Sequence, residues 1–361
     1  MFKRSFFIAV IALFLLKCSN KLDILAPYKE SVAVYGLINQ NDSVQYIRVQ
    51  RVFLGEGNAI SIAQNPDSCY YKPGELKVTL QRILNSAQVG VDNTSGGVPT
   101  GPNEIVLTEA YVQVQPGVFS TTQLLYKTNH KLYDGSRYKL VIHSNKSGKE
   151  FTSSNVGLIG NFSSPACLAY GLENSQLIVR PPLYQAPFVP SNKGTVVCKY
   201  NSPPNAAVCG LKVRFYYTEF PGGVKYVEMD QGSQYLVSDH GGIEVDLSYV
   251  GDAMLQNVSN LIPVDPNVNH RVADSLHFIL YGAGFDLSVY NQVSGSTSLS
   301  QSKPTYTNIS NGIGVFSSRK DYYIFHKIQD ASIQRLADDP LTCPLHFYTP
   351  GSNGNLATTC P

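Results

Sequence analysis

A cysteine thiol can take an acyl chain, close a disulfide or hold a metal, and this chain has seven, at 18, 69, 167, 198, 209, 343 and 360. No two of them stand two to four residues apart, so the spacing of a zinc site is missing. With Cys18 set apart for the reason given below, six remain. An even set in an exported chain implies up to three disulfides. The pairs expected are Cys198 with Cys209 and Cys343 with Cys360, both local, which leaves Cys69 with Cys167. A bridge closing either local loop contributes about 3 kcal/mol by restricting the unfolded chain.

The other reactive residue types form no recognisable constellation. The histidines (130, 143, 240, 270, 277, 326 and 346) are scattered, with no His-x-x-x-His pair. No Gly-x-Ser-x-Gly elbow is present, and Ser147-Gly148-Lys149 lacks the upstream glycines of a phosphate loop. Asp265-Pro266-Asn267-Val268-Asn269 has oxygen-bearing side chains at alternate positions, as Ca²⁺ requires. However, His270 stands where that loop needs glycine and Leu276 where it needs a closing glutamate, so a solvated loop is the better reading. Asp239, Glu244 and Asp246 flank His240-Gly241-Gly242 and read as solvent-facing acids around a hairpin turn. The aromatic runs Phe215-Tyr216-Tyr217 and Tyr322-Tyr323 are different. On a strand, adjacent side chains point to opposite faces, so at least one ring of each run lies outside the core. Such a ring can stack on a sugar or peptide, or simply cover a β surface. No catalytic residue, cofactor or metal is assigned.

The N-terminus sets the compartment. Lys3 and Arg4 precede an apolar run from Phe6 to Leu16, the layout of a secretory signal. The run is too short for a bilayer core, which needs about 20 apolar residues in a helix. Cys18 follows it directly, as the acylated cysteine does in a bacterial lipobox, although Lys17 occupies a position usually held by Gly, Ala or Ser. Two or more acyl chains, at about 0.8 kcal/mol per buried CH₂, make a durable anchor. Removing Lys3, Arg4 and Lys17 with the signal leaves 25 basic against 26 acidic residues. No basic stripe tracks phosphates, so nucleic acid is not an expected partner.

The elements that must position these residues are strands. The chain has 29 Gly, 21 Pro, 23 Tyr and 3 Met, a β-rich extracellular composition. Residues 31–53 read as a hairpin around the turn at 39–42, and further strands are expected at 75–84, 105–114, 118–126, 138–143 and 151–159. Strands at 176–179, 195–200, 211–217, 224–229 and 243–249 follow a boundary near 160–168. The prolines between 180 and 190 exclude a central strand there. Residues 251–261 have helical spacing, as do 332–337 ahead of Asp339-Pro340. The fold class is therefore all-β: an immunoglobulin- or transthyretin-like sandwich, then a second β-rich domain with short helices. The divisions are a signal at 1–17, a lipidated tether at 18–30, the sandwich at 31–160, the second domain at 161–327 and a disulfide-pinned tail at 328–361.

The stretch 303–319 contains Asn308-Ile309-Ser310-Asn311-Gly312-Ile313-Gly314-Val315-Phe316, an Asn-Gly turn between apolar residues. It resembles the C-terminal signature of a domain-of-unknown-function family of Bacteroidota outer-membrane lipoproteins. The lipobox-like Cys18, the strand pair at 31–53 and the segment 132–140 match the same family, over residues 18 to 327. The departures are Lys17, the loop near 85–104, the absence of tryptophan, and the tail with Cys343 and Cys360. The resemblance implies a lipid-anchored envelope protein associated with TonB-dependent receptors, and no catalytic residues. The function expected is a non-catalytic accessory or binding subunit of such an outer-membrane complex. The alternatives are a structural or adhesive surface protein without a transport partner, and an enzyme acting on glycan or peptide.

Overall fold

The computed structural model describes residues 30–52, 66–83, 103–113, 122–173, 176–180, 185–186, 195–295 and 305–348. The lipidation position Cys18 and the expected disulfide partner Cys360 lie outside them.

The fold is all-β, and alternation of side chains accounts for most of it. In β1 (Val32–Ile38) and β2 (Gln45–Arg51) every second residue is buried, so the expected hairpin forms with one face committed to a core. Across from it lie β3 (Leu76–Ile83), β4 (Glu104–Val106), β7 (Arg137–Ser144), β8 (Glu150–Thr152) and β9 (Val156–Gly157), a five-stranded sheet. Val32, Val34 and Ile47 meet Val78, Leu80, Leu140 and Phe151 between the two layers. The single strand expected at 105–114 is two. Leu107 separates β4, which pairs with β3, from β5 (Thr108–Gln113), which pairs with β6 (Thr122–Thr128) in the opposite layer.

The second core is also a sandwich. One layer holds β10 (Ser163–Glu173), β11 (Gln176–Arg180), β13 (Thr195–Asn201) and β16 (Glu244–Val250). The other holds β14 (Val208–Phe220), β15 (Gly223–Tyr235), β17 (His270–Ala283) and β18 (Ile313–Ile328), with two-residue β12 (Gln185–Ala186) at its margin. Val196, Tyr200 and Leu247 face Val213, Phe215 and Phe278 across it. Helix α2 (Gly251–Leu261) packs Met254, Leu255 and Val258 against this core, and α4 (Asp330–Asp338) adds Leu336 and Ala337. The remaining helices are α1 (Pro66–Cys69) and α3 (Phe285–Gly295).

One strand belongs to both cores. The first part of β18, Ile313–Ser318, runs parallel to β1, and the rest, Arg319–Lys327, runs antiparallel to β17. The result is one nine-stranded sheet that extends across both sandwiches. Ile309 and Phe316 therefore complete the first core from far beyond residue 160, and the two parts are not closed separately. This is also the place of the Asn-Gly signature. Gly314 sits at φ +99°, and a Cβ there would overlap the Val34 carbonyl oxygen, so glycine lets β18 approach β1. Asn311 takes the left-handed conformation at φ 57° that starts the strand.

The cysteine pairing differs from expectation. Cys167 and Cys198 stand directly opposite each other on β10 and β13 and form a cross-strand disulfide. Cys209 is a buried thiol on β14, in the facing layer, and Cys69 is likewise a buried thiol at the end of α1. Sheets pack about 10 Å apart, whereas a disulfide needs Cα atoms within about 7 Å, so closeness in sequence did not favour Cys198 with Cys209. With Cys198 committed to Cys167, the Cys69–Cys167 pair is overturned too. Cys343 is disulfide-bonded.

Candidate functional site

The chemistry gathers on the outer face of the nine-stranded sheet. On β14, Val213, Phe215 and Tyr217 point into the core, so Lys212, Arg214 and Tyr216 point out. The same alternation on β17 turns His277 and Tyr281 outward, and on β18 it turns Asp321, Tyr323 and Phe325 outward. Strand register then aligns them. Glu228 of β15 stands opposite Arg214, Arg214 opposite His277, and His277 opposite Phe325, one row across four strands.

Contacts between the strands hold the row in place. Arg214 donates to Glu228 at 2.7 Å, and Lys212 donates to the other oxygen of the same carboxylate at 2.8 Å. Burial pushes the Glu228 carboxyl up, but these two hydrogen bonds outweigh it and hold the carboxyl below its ordinary range. The Arg214 guanidinium also lies 4.6 Å over the Tyr226 ring, a cation–π contact, and donates to the Tyr216 hydroxyl at 3.3 Å. The ring series continues from Tyr216 to His277 (4.3 Å) and from His277 to Phe325 (4.3 Å). Burial, with nearby Arg214, lowers the His277 pKa, so this imidazole is neutral at neutral pH. Tyr323 and Phe325 lie 6.1 Å apart with their planes within 13°, and Phe325 is 62% exposed.

Helix α3 turns this face into a trough. The strand β17 ends at Ala283, and after Gly284 helix α3 folds back over the sheet where β1 and β18 meet. Its Leu287 is buried with Val208 and Ala283, and the Leu287 N–H donates to Ser317 Oγ at 3.2 Å. On one side of the helix lies a cavity of about 630 Å³, floored by Lys212, Arg214, Tyr281, Asp321 and Tyr323 and walled by Ser288 and Asn291. On the other lies a more apolar cavity of about 570 Å³, lined by Tyr290, Tyr306, Arg48 and Gln50. Tyr35 borders both. Among the described residues, Asp321 has charged neighbours but no hydrogen bond to its carboxylate. Burial raises its pKa, against the pull of Arg319 and Lys212.

The residues singled out from sequence fall into three groups. Tyr216 and Tyr323 lie on this face, whereas Phe215 and Tyr217 are core and Tyr322 points the other way, 5.9 Å from Phe162. Glu244 and Asp246 both reach Lys199, at 3.8 and 3.0 Å. The calcium-like stretch is a turn followed by a strand. Asp265 accepts from the Asn267 backbone N–H at 2.9 Å, and Leu276 is buried in β17. Among the described residues, no three His, Cys, Asp or Glu side chains gather where a metal could sit. Sequence reasoning missed Arg214, Glu228, His277, Asp321 and Phe325. The signal for two of the strands was present, in Lys212-x-Arg214-x-Tyr216 and Asp321-x-Tyr323-x-Phe325, each a polar or aromatic series at period two. No protein-family model matches the chain, and neither does any curated protein.

Proposed function

We propose that this chain is an envelope lipoprotein, anchored in the outer membrane through Cys18, that serves as a non-catalytic binding subunit beside a TonB-dependent receptor. The observation that carries the reading is the cross-strand row Glu228–Arg214–His277–Phe325 with its flanking rings. Rings and ion pairs fixed on a rigid sheet form a surface prepared for contact, because little side-chain freedom is left to lose on binding.

The position of the tether supports the same reading. Residues 18–30 lead into β1, whose first residues pair with the start of β18. Phe325 lies twelve residues further along β18, about 40 Å at the rise of a strand, a span that a tether of similar length can match. An anchor that confines the chain to the membrane plane raises its effective concentration near a neighbouring barrel, and a modest interface then suffices.

Cross-linking in intact cells, followed by mass spectrometry of the protein purified in mild detergent, tests the proposal. The expected products join Lys212 or Lys327 to a barrel protein. Cys18→Ser is expected to move the chain out of the membrane fraction or to stall its processing. Recovery of the lipoprotein alone across several growth conditions overturns the receptor-partner reading.

A further inference from the structure

Resting on the reading of this chain as a binding subunit, we infer that the trough between α3 and the floor of β14, β17 and β18 takes a saccharide. The floor is a sheet face, not a sheet edge. Its backbone N–H and C=O groups are already spent on the strand pairings of β14 with β17 and β17 with β18. A peptide lying there would find no main-chain partners of the kind that strand addition supplies. A saccharide needs none. Its hydroxyls each donate and accept, and its C–H faces lie flat on aromatic rings.

The trough offers both kinds of contact. Asp321 presents a carboxylate that takes no hydrogen bond from the described residues, beside the exposed Arg319. The Glu228 carboxylate is fixed by Lys212 and Arg214, which leaves acceptor and donor positions at the cavity floor in a set geometry. Tyr323 lines the cavity, and Phe325 continues from it with a nearly parallel ring, so the aromatic track leads out of the trough along the strand. Two such rings in succession suit a chain of sugar units better than one small molecule. The cations Lys212, Arg214 and Arg319 face the anions Glu228 and Asp321, so the lining carries no strong excess of either sign. This suits a neutral or weakly acidic glycan.

Affinity electrophoresis of the purified full chain tests this, in native gels containing starch, xylan, dextran or polygalacturonate. At least one polymer is expected to retard the protein. Tyr323→Ala with Phe325→Ala is expected to abolish the retardation, and Asp321→Asn to weaken it about tenfold, the equivalent of one well-placed hydrogen bond. Tyr323 and Phe325 are solvent-exposed and the asparagine is nearly isosteric, so both variants are expected to keep the wild-type circular dichroism and thermal midpoint. Absence of retardation in every gel overturns the assignment, and so does retardation that neither variant changes. The purified protein carries no receptor, so failure here is separate from failure of the cross-linking experiment.

Discussion

Asn308 and Phe316 hold each other through two hydrogen bonds. The Asn308 side-chain amide donates to the Phe316 carbonyl at 2.7 Å, and its oxygen accepts from the Phe316 N–H at 2.9 Å. The pair closes the loop ahead of β18 and sets the depth at which the Phe316 ring, fully buried, enters the first core. The Asn-Ile-x-Asn-Gly-x-Gly-x-Phe series is thus explained by folding. Asn308→Ala leaves two backbone groups without partners and is expected to destabilise the protein by about 2–4 kcal/mol, read by urea denaturation. Asn308→Asp keeps the acceptor for the Phe316 N–H but sets a carboxylate oxygen against the Phe316 carbonyl, so it is expected to destabilise as well.

Gly314 provides a sharper test of the same junction. A Cβ at this position meets the Val34 backbone, which cannot move without parting β1 from β18. Gly314→Ala is expected to cost several kcal/mol or to prevent folding, well above the roughly 1 kcal/mol of a strained but open site. Gly74→Ala is the control, because Gly74 also has positive φ but no atom within 4 Å of an added Cβ. Equal effects from the two substitutions, measured by thermal unfolding, would count against the close approach.

The buried ion pair of Glu219 and Arg271 makes stability depend on acid. The two side chains are 4% and 1% exposed, and Arg271 also donates to the carbonyls of Leu345 and Pro263, which ties the tail to the sheet. Burial pushes the Glu219 carboxyl up, yet hydrogen bonds from Lys225 and Arg271 outweigh it and hold the carboxyl below its ordinary 4.5. A depressed carboxyl contributes its full stability above the unfolded-state value, and loses it as pH falls through the folded-state value. The unfolding free energy is therefore expected to drop below pH 4.5. Glu219→Gln is expected to flatten that drop and to cost about 3–5 kcal/mol at neutral pH, because Arg271 keeps a buried charge without its counter-ion.

Cysteine chemistry separates the two pairings cleanly. Non-reducing peptide mapping is expected to recover a Cys167–Cys198 linked peptide. Burial pushes the Cys209 thiol up to about 12, against a smaller downward pull from Tyr200, so almost no thiolate is present at pH 8. Iodoacetamide is expected to modify Cys209 only after denaturation. A linked Cys198–Cys209 peptide, or rapid labelling of native protein at Cys209, would contradict the strand pairing.

How far the sequence could be read depended on whether the decisive contacts were local. The hairpin at 31–53 and the helix at 251–261 were legible because their burial patterns repeat within a few residues. Strand β17 was not, since it follows directly on the solvated loop at 265–269 and buried Arg271 breaks the apolar alternation. Helix α3 was missed for a related reason. Leu287 and Ser288 are its buried residues, too few to mark a period. In the site, single outward rings were predictable from adjacent aromatics, but the row they form was not. It depends on the register of four strands, and nothing in any one strand states that register.

The parallel pairing of β1 with β18 also has a consequence for the order of folding. Ser31 donates to the Asn311 carbonyl at 3.0 Å across 280 residues of chain. Contacts this remote form late, because the intervening loop must close before they contribute. A chain emerging from its N-terminus presents the β1–β2 hairpin early, with the outer side of β1 bare and the Phe316 place in the core empty. That bare edge is a site for wrong pairing until residues 313–318 arrive. The last fifth of the chain thus completes what the first tenth begins, and a truncation before residue 313 leaves both sandwiches unfinished.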